Sequence, residues 1–394
     1  MKLNINKLKI TPKNLPFGFC VYGEPTHEMT DWAEFWNLKM EKSGQYTNFL
    51  LEPETVLSDI FEEPTIYEYG DFFSPNLNKH LHLGHLSNLI IAKSLQSLGI
   101  AKNTIAILGD TLDGEVSKEE ALSKYNEYCD KFGYSKKIYY ASEQELKMDI
   151  LVDGTDSYEG TKIFEILLNN EIHKTVGIKS DGSTSYFYQD VALASTLNAS
   201  TLYVTGSEQN GHFKILNVLF PKNAHIGLGL VLTDGKKQSS SAGNVIFMEK
   251  LLELVKDKFN QDEKLTWNIL CGFILKYDLP STKDIKLKDI DNVNLSHGLY
   301  LSYALARLKS AGMTNNPITT FNSKVLQYKL LRAKTMVKPH LLFEELIETC
   351  GQINKLYVDH YIKDNLENQK LYQPLMDDLV HGMELLGMFP VSKV

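Results

Sequence analysis

The sequence predicts an α/β protein, a doubly wound parallel sheet followed by an all-α helical bundle. Short apolar runs that suit buried strands alternate with amphipathic segments from Thr65 to about Leu251. Beyond Leu251 the apolar residues recur at helical spacing instead. The length of 394 residues is also too great for one ordinary core, so we expect more than one domain.

The first strand, helix and strand begin at Thr65. TIYEYGDFFS carries the aromatic and apolar residues of a strand. Ile91 and Leu95 follow at helical spacing before Gly99 ends the helix, and TIAILGD is a second short apolar run. This order of elements predicts one crossover between two parallel strands.

A second crossover follows in TLYVTG, an amphipathic stretch from Ser207 to Phe220, and the apolar run HIGLGLVLT. Farther on, HGLYLSYALARLKSAG and PHLLFEELIETCGQINKLYVDHYI have helical periodicity, and NNPITTF is typical of a break between helices. We predict a short lead-in over 1–62 that is the remnant of a further domain, a sheet domain over 63–285, and a helical domain over 286–394.

The bulk composition limits the classes of function. The net charge of -8 argues against a surface coated in positive charge for indiscriminate nucleic-acid binding, although it permits a local basic patch. We find no secretion signal and no membrane-spanning apolar run, so we expect a cytoplasmic protein. The scattered cysteines indicate a reducing compartment and no zinc site: Cys20, Cys129, Cys271 and Cys350.

The stretch SPNLNKHLHLGHLSN lies where the first predicted strand ends and its helix starts. Phosphates bind at this edge of an open parallel sheet, because free backbone N–H groups and the positive end of the helix dipole meet there. Gly84 lets a ligand approach the backbone, and His82 and His85 can donate hydrogen bonds to phosphoryl oxygens. The alternative is that both histidines are ordinary surface or core residues.

SPNLNKHLHLGH resembles the first signature, HxGH, of the class I aminoacyl-tRNA synthetases, and in its extended form that of the arginyl-tRNA synthetases. GKKQSSSAGNV resembles the second signature, with Lys237 as its leading lysine. Ser241 stands where the second lysine is usual, and Gln238 replaces the usual methionine. The resemblance implies that Lys79, upstream of the histidines, supplies the missing charge. Taken alone, GKKQSSSAGNV has the composition of a solvated turn.

Recognition of arginine requires a carboxylate that meets the planar guanidinium in a bidentate way. The resemblance assigns guanidinium binding to Tyr186 and Asp190 in STSYFYQDVALA, with Asp190 as the carboxylate. It also implies that Gln209 in YVTGSEQNGHFKILN binds arginine. It also implies that Ser74 and Asn76 hold the amino and carboxylate groups of the substrate. The simpler alternatives are a strand aromatic in the core for Tyr186 and a helix N-terminal acid for Asp190.

Other matches are weaker. Glu208 replaces the family's aspartate, and His212 matches in position as either a contact or a packing residue. Tyr303 and Arg307 match a family helix that links the catalytic and anticodon-binding domains. The region before the motif strand is short for the family, and GQYTNFLL resembles the tail of the domain that grips the tRNA elbow. A basic segment can contact tRNA phosphates or form a solvated face: Lys324, Lys329, Arg332, Lys334 and Lys338.

The resemblance therefore implies a Rossmann-like catalytic domain and an anticodon-binding-like bundle in an arginine–tRNA ligase. The implied substrates are ATP with Mg²⁺, L-arginine and tRNA, in the first place arginine tRNA. We expect a monomer with no membrane association and no dedicated protein site for Mg²⁺. The catalytic residues implied are His82, His85, Lys79 and Lys237, with Gly84 and Ser239 added for ATP binding. Two alternatives stay open: transfer of activated arginine to an acceptor other than tRNA, and a non-catalytic tRNA-binding protein.

Overall fold

The computed structural model describes residues 2–11, 17–52, 54–111, 114–237, 246–260, 262–289, 292, 296–363 and 365–394. The chain divides into two compact units. The first comprises Met1–Thr65, Tyr300–Leu386 and Pro390–Val394, and the second comprises Ile66–Leu299 and Gly387–Phe389.

The described strands are β1 (Lys9–Ile10), β2 (Gly18–Tyr22), β3 (Lys39–Ser43), β4 (Tyr46–Leu50), β5 (Tyr67–Asp71), β6 (Ala101–Leu108), β7 (Lys137–Tyr140), β8 (Leu151–Asp153), β9 (Lys162–Leu168), β10 (Glu171–Ile178), β11 (Thr201–Gly206), β12 (Ala224–Leu228), β13 (Val231–Thr233), β14 (Lys236–Lys237) and β15 (Lys283–Ile285). The described α-helices are α1 (His27–Phe35), α2 (Leu57–Ile60), α3 (Leu83–Ser97), α4 (Lys118–Lys131), α5 (Tyr186–Leu197), α6 (Asn210–Leu219), α7 (Met248–Lys258), α8 (Glu263–Leu275), α9 (His297–Ser310), α10 (Lys324–Met336), α11 (His340–Asp359) and α12 (Leu366–Leu385).

The second unit is built on a parallel sheet whose described strands lie in the order β12-β11-β5-β6-β7. Helix α3 connects β5 to β6, α4 connects β6 to β7, and α6 connects β11 to β12. The strand order therefore runs in opposite directions on either side of the β5–β11 pair. Ligands bind at such a switch point, beyond the carboxyl ends of the strands. The predicted parallel sheet with crossover helices is confirmed.

An antiparallel sheet of order β10-β9-β8 precedes α5 in the second unit. Phe164 on β9 packs with Phe187 on α5, and Tyr203 and Phe213 belong to the same buried cluster. The start of α5 is fixed by Ser185, whose hydroxyl accepts a hydrogen bond from the N–H of Tyr188 at 3.1 Å. This sheet therefore positions the helix that carries Asp190, and the sequence pattern did not predict it.

The apolar run HIGLGLVLT forms two strands rather than one. β12 belongs to the parallel sheet, whereas β13 pairs with β14 and with β15 in a separate sheet. The two strands are separated at Gly229, where a Cβ would lie 2.3 Å from the carbonyl oxygen of Ser281. β15 ends at Ile285, the last residue of the predicted sheet domain, although the strand signal fades beyond Leu251 in the sequence.

The first unit contains a sheet of order β1-β2-β4-β3 with helices α1 and α2. Phe19, Trp32, Phe49 and Phe61 form its buried core, and Tyr328 from α10 packs into the same cluster. These folded elements before Tyr67 were not anticipated by the sequence pattern. The rest of the unit is helical, as predicted for the carboxyl-terminal region, and the three-part division of the chain stays a prediction. None of the described helices is both long and apolar enough to span a membrane.

Candidate active site

The candidate site lies at the switch point of the parallel sheet, where the segment after β5 leads into α3. Within this segment the N–H of Leu77 donates to the carbonyl of Gly109 at 2.8 Å, just beyond the end of β6. A Cβ at Gly109 would lie 1.9 Å from Oδ1 of Asn76, so only glycine leaves room for that amide. Asn76 is exposed and lies at the carboxyl edge of the sheet, where its backbone pairs with that of Gly109.

The two signature histidines form a reciprocal cap at the start of α3. His82 is the N-cap residue, and its Nδ1 accepts a hydrogen bond from the N–H of Gly84 at 3.0 Å. The Nδ1 of His85 accepts from the N–H of His82 at 3.0 Å, and the ring centroids are 4.0 Å apart. A Cβ at Gly84 would lie 2.8 Å from Cε1 of His82. Glycine at 84 therefore allows the cap, which satisfies N–H groups that a helix start leaves free.

These hydrogen bonds fix the protonation state of both rings. A ring nitrogen that accepts from an N–H carries no proton, so each neutral imidazole holds its proton on Nε2. Burial, together with the charges of His82 and Lys79, lowers the pKa of His85 to about 3. Burial and the charge of Lys79 also lower the pKa of His82. At neutral pH the pair therefore offers two Nε2–H donors without a positive charge.

The end of the second signature loop is attached to the histidine turn. The N–H of Leu83 donates to the carbonyl of Ile246 at 3.0 Å, and the N–H of Met248 donates to the carbonyl of Leu81 at 3.0 Å. At the other end of the loop, Lys236–Lys237 form β14 and pair with β13. The side chain of Lys237 and residues 238–245, which include Ser239, lie outside the described residues.

Asp71, the last residue of β5, is a buried carboxylate that the sequence did not single out. The hydroxyl of Ser74 donates a hydrogen bond to Oδ1 of Asp71 and accepts one from the N–H of Ile107 at 3.0 Å. The pKa of Asp71 is raised to about 7, because burial and the charge of Asp190 raise it by more than the hydrogen bond from Ser74 lowers it. Asp71 is therefore hydrogen-bonded to Ser74 and close enough to Asp190 to be affected by its charge.

Asp190 lies in the second turn of α5 and pairs with a histidine from α6. Oδ2 of Asp190 is 2.6 Å from Nε2 of His212, and the two side chains are 17% and 23% exposed. Tyr203 on β11 lies beside Asp71 in the strand register, and its hydroxyl is buried. Burial raises the pKa of Tyr203, and the charges of Asp190 and Asp71 add to this rise. Asp190 is thus set well inside the helix rather than at its N-terminal end.

Tyr186 and Gln209 lie at the starts of two helices. Tyr186 is the first residue of α5 and is 48% exposed, so it is not the buried strand aromatic of the simpler alternative. Gln209 is exposed and ends the short 3-10 turn Ser207–Gln209, directly after β11 and before α6. The segment that carries Gln209 thus leaves the sheet from β11, next to the strand that leads to the histidines.

The described side chains offer two kinds of chemistry. At the start of α3, the two Nε2–H groups, the helix dipole and the charge of Lys79 favour an anion. Near the ends of β5 and β11, the carboxylates of Asp71 and Asp190 favour a cation. Within the described residues, no three His, Cys, Asp or Glu side chains gather as a metal site would require.

Comparison with known proteins gives the following relatives. No family model matches the chain. The arginine–tRNA ligase of Lactobacillus johnsonii is 22% identical over 479 aligned residues, which cover 88% of this chain and 86% of that protein. Thermus thermophilus arginyl-tRNA synthetase superposes with a TM-score of 0.63 at 15% identity, over 98% of this chain and 96% of that one. The Plasmodium falciparum arginyl-tRNA synthetase gives a TM-score of 0.65 at 17% identity, over 90% and 86%.

The chain resembles class I arginyl-tRNA synthetases over most of its length and has their fold, an α/β parallel sheet with a helical carboxyl-terminal region. The resemblance and the fold class that the sequence predicted are confirmed. The curated relatives that carry the resemblance are named as ligases.

Proposed function

We propose that this chain is an arginine–tRNA ligase, which activates arginine with ATP and transfers it to tRNA. The observation that carries the proposal is the neutral histidine pair at the start of α3, together with Asp190 on α5, which interacts electrostatically with Asp71 at the end of β5, the strand that leads to α3. An amino acid with a cationic side chain and the triphosphate of ATP require these two environments side by side. The named ligases among the relatives support this reading.

In the proposed reaction the carboxylate oxygen of arginine attacks the α-phosphorus of ATP. A new bond forms between this oxygen and phosphorus, the bond from phosphorus to the bridging oxygen of pyrophosphate breaks, and pyrophosphate leaves with Mg²⁺. His82 and His85 donate their Nε2 protons in hydrogen bonds to phosphoryl oxygens, which gain negative charge in the transition state. Lys79 and Lys237 supply positive charge, and Gly84 and Ser239 complete the ATP contacts.

The amino acid is held at the carboxylate end of the site. Asp190 receives the guanidinium, with the hydroxyl of Tyr186 as a further partner, because a planar cation meets a carboxylate best in a bidentate way. Asn76 and Ser74 bind the amino and carboxylate groups of arginine, and Gln209 is a further partner of the amino acid. The hydroxyl of Ser74 is held by Asp71.

A hydroxyl of the terminal adenosine of tRNA then attacks the carbonyl carbon of arginyl-adenylate. An ester bond forms, the bond from this carbon to the phosphate oxygen breaks, AMP leaves, and the hydroxyl proton passes to solvent. Among the helices of the first unit, the guanidinium of Arg307 lies 3.7 Å from the ring centroid of Tyr357 and donates to Asn354 at 3.3 Å. This ordered, positively charged contact suits a surface that meets RNA. We place the protein in the cytoplasm as a monomer.

Arginine-dependent exchange of labelled pyrophosphate into ATP, measured with tRNA present, tests the activation step. Arginine should support exchange, and citrulline should not because it lacks the positive charge that Asp190 binds. Transfer of labelled arginine to purified tRNA then tests the second step. Exchange without transfer to tRNA would instead favour a different acceptor, and no exchange with any amino acid would contradict the proposed function.

A further inference from the structure

The carboxylate of Asp190 is held by a residue to which the proposed reaction gives no role. Nε2 of His212 lies 2.6 Å from Oδ2 of Asp190, and the two residues come from different helices. Because a carboxylate only accepts, His212 donates its Nε2 proton in this bond. A charged acceptor makes such a bond shorter and stronger than a neutral one, so His212 restrains the direction of the Asp190 carboxylate.

The ring of His212 is itself held on two sides. It meets the ring of Phe187 edge to face, with centroids 5.2 Å apart, and lies 5.0 Å from the ring of Phe213. Phe213 stacks at 4.4 Å on His225, whose Nε2 is 2.9 Å from the hydroxyl of Thr205. The imidazole is therefore fixed by packing from α5 and α6, and its orientation does not depend on Asp190 alone.

The hydrogen bond from His212 leaves the Asp190 carboxylate able to accept further hydrogen bonds. An ionised carboxylate has about four lone-pair positions, and His212 uses one of those on Oδ2. A guanidinium that binds with two parallel N–H groups needs one position on each oxygen. His212 and a guanidinium can thus bind Asp190 at the same time, as neighbours on one carboxylate.

We infer that His212 is a positioning residue, which orients the Asp190 carboxylate toward the guanidinium and thereby sets the affinity for arginine. This inference rests on the proposed function, because it takes arginine as the ligand of Asp190. His212 contributes through its Nε2–H donor. A side chain that fills the same space without a donor will leave Asp190 free to turn toward solvent.

The test compares three single variants of the full chain by calorimetric titration with arginine and, separately, with ATP. His212→Leu removes the donor and keeps an apolar side chain, whereas His212→Gln places an amide N–H near the former Nε2. His27→Leu is the matched control, because His27 also bonds an aspartate: its Nδ1 lies 2.8 Å from Oδ2 of Asp31 on the exposed face of α1. Thermal unfolding of each variant checks that the fold is retained.

We expect His212→Leu to weaken arginine binding about 10- to 100-fold, which is the range for loss of one hydrogen bond to a charged group. ATP affinity should be unchanged, His212→Gln should restore arginine affinity to within about 3-fold of wild type, and His27→Leu should match wild type. Equal losses of arginine and ATP affinity, or failure of glutamine to restore binding in a folded protein, would overturn the inference.

The same measurements separate this inference from the proposed function. If the wild type binds arginine and the variants follow the expected order, yet no pyrophosphate exchange occurs, His212 has the inferred role and the ligase activity is refuted. If the wild type binds no arginine, the inference is overturned whatever exchange is seen with other amino acids.

Discussion

Substitution of His85 separates its two roles, as a helix cap and as a hydrogen-bond donor to ATP. Its Nδ1 accepts from the N–H of His82 at 3.0 Å, whereas its Nε2–H is the donor of the proposed mechanism. His85→Ala removes both. Loss of a cap costs about 1 kcal/mol of stability, and loss of one donor to developing charge lowers kcat about 100- to 1,000-fold.

Two conservative variants of His85 divide these effects. The side-chain oxygen of asparagine can occupy the place of Nδ1, so His85→Asn should keep the cap and the free energy of unfolding to within about 0.5 kcal/mol. Asparagine has no group at the position of Nε2, so the pyrophosphate exchange rate of His85→Asn should be as low as that of His85→Ala. His85→Gln places an amide N–H near the position of Nε2, so the exchange rate should fall less than in His85→Ala.

Urea unfolding and arginine-dependent pyrophosphate exchange with tRNA measure the two properties on the same preparations. The KM for ATP should change less than kcat in all three variants, because the donor acts mainly in the transition state. The reasoning is refuted if His85→Asn keeps the wild-type exchange rate, or if KM for ATP rises as much as kcat falls.

Three further predictions concern stability. The pKa of His85 is lowered to about 3, so between about pH 6.5 and 3 the unfolded chain binds more protons than the folded one. The free energy of unfolding should therefore decrease as the pH is lowered from about 6.5 to 3, and it should decrease less in His85→Asn. Gly298→Ala places a Cβ 1.8 Å from the carbonyl oxygen of Asn268 and should cost about 1–3 kcal/mol in urea unfolding, whereas Gly211→Ala, with nothing within 4 Å, should not destabilise; equal effects would contradict the close approach. Asp378→Ala leaves three N–H groups of the turn before α10 without their acceptor and should cost about 2–4 kcal/mol, and a loss below about 0.5 kcal/mol would show that water replaces the carboxylate.

Sequence periodicity was sufficient for the main elements of the parallel sheet. The apolar run at the end of β6 and most of β11 are buried, and β5 is rich in aromatic residues, so these runs differ clearly from the amphipathic helices between them. The antiparallel sheet β8–β10 has one exposed face, where Leu167 and Ile172 are 65% and 64% exposed. Exposed apolar residues on such a sheet blur the alternation that marks a strand, so this insertion was missed.

The division of HIGLGLVLT into two strands depends on contacts that sequence does not show. Gly229 allows the backbone to pass against Ser281, some 50 residues later, and β13 finds its parallel partner only in β15. In the same way, the folded region before Tyr67 buries Tyr328 from the distant α10. Long-range packing of this kind overrides local pattern.

The candidate site was predicted from motifs, because HxGH specifies both a turn and its donors. The reciprocal cap of His82 and His85 depends on atomic distances and could not be predicted from the pattern. Asp71 could have been found, since an acid ends an aromatic-rich strand three residues before Ser74. The bond between Asp190 and His212 joins two helices, so spacing along the chain carried no signal for it.

A crystal structure of the protein with a non-hydrolysable ATP analogue and arginine tests the central claim most directly. The account predicts triphosphate oxygens within hydrogen-bond distance of Nε2 of His82 and His85, and the guanidinium bound in bidentate fashion to Asp190 while His212 keeps its bond. A triphosphate bound elsewhere, or a guanidinium away from Asp190, would contradict the account.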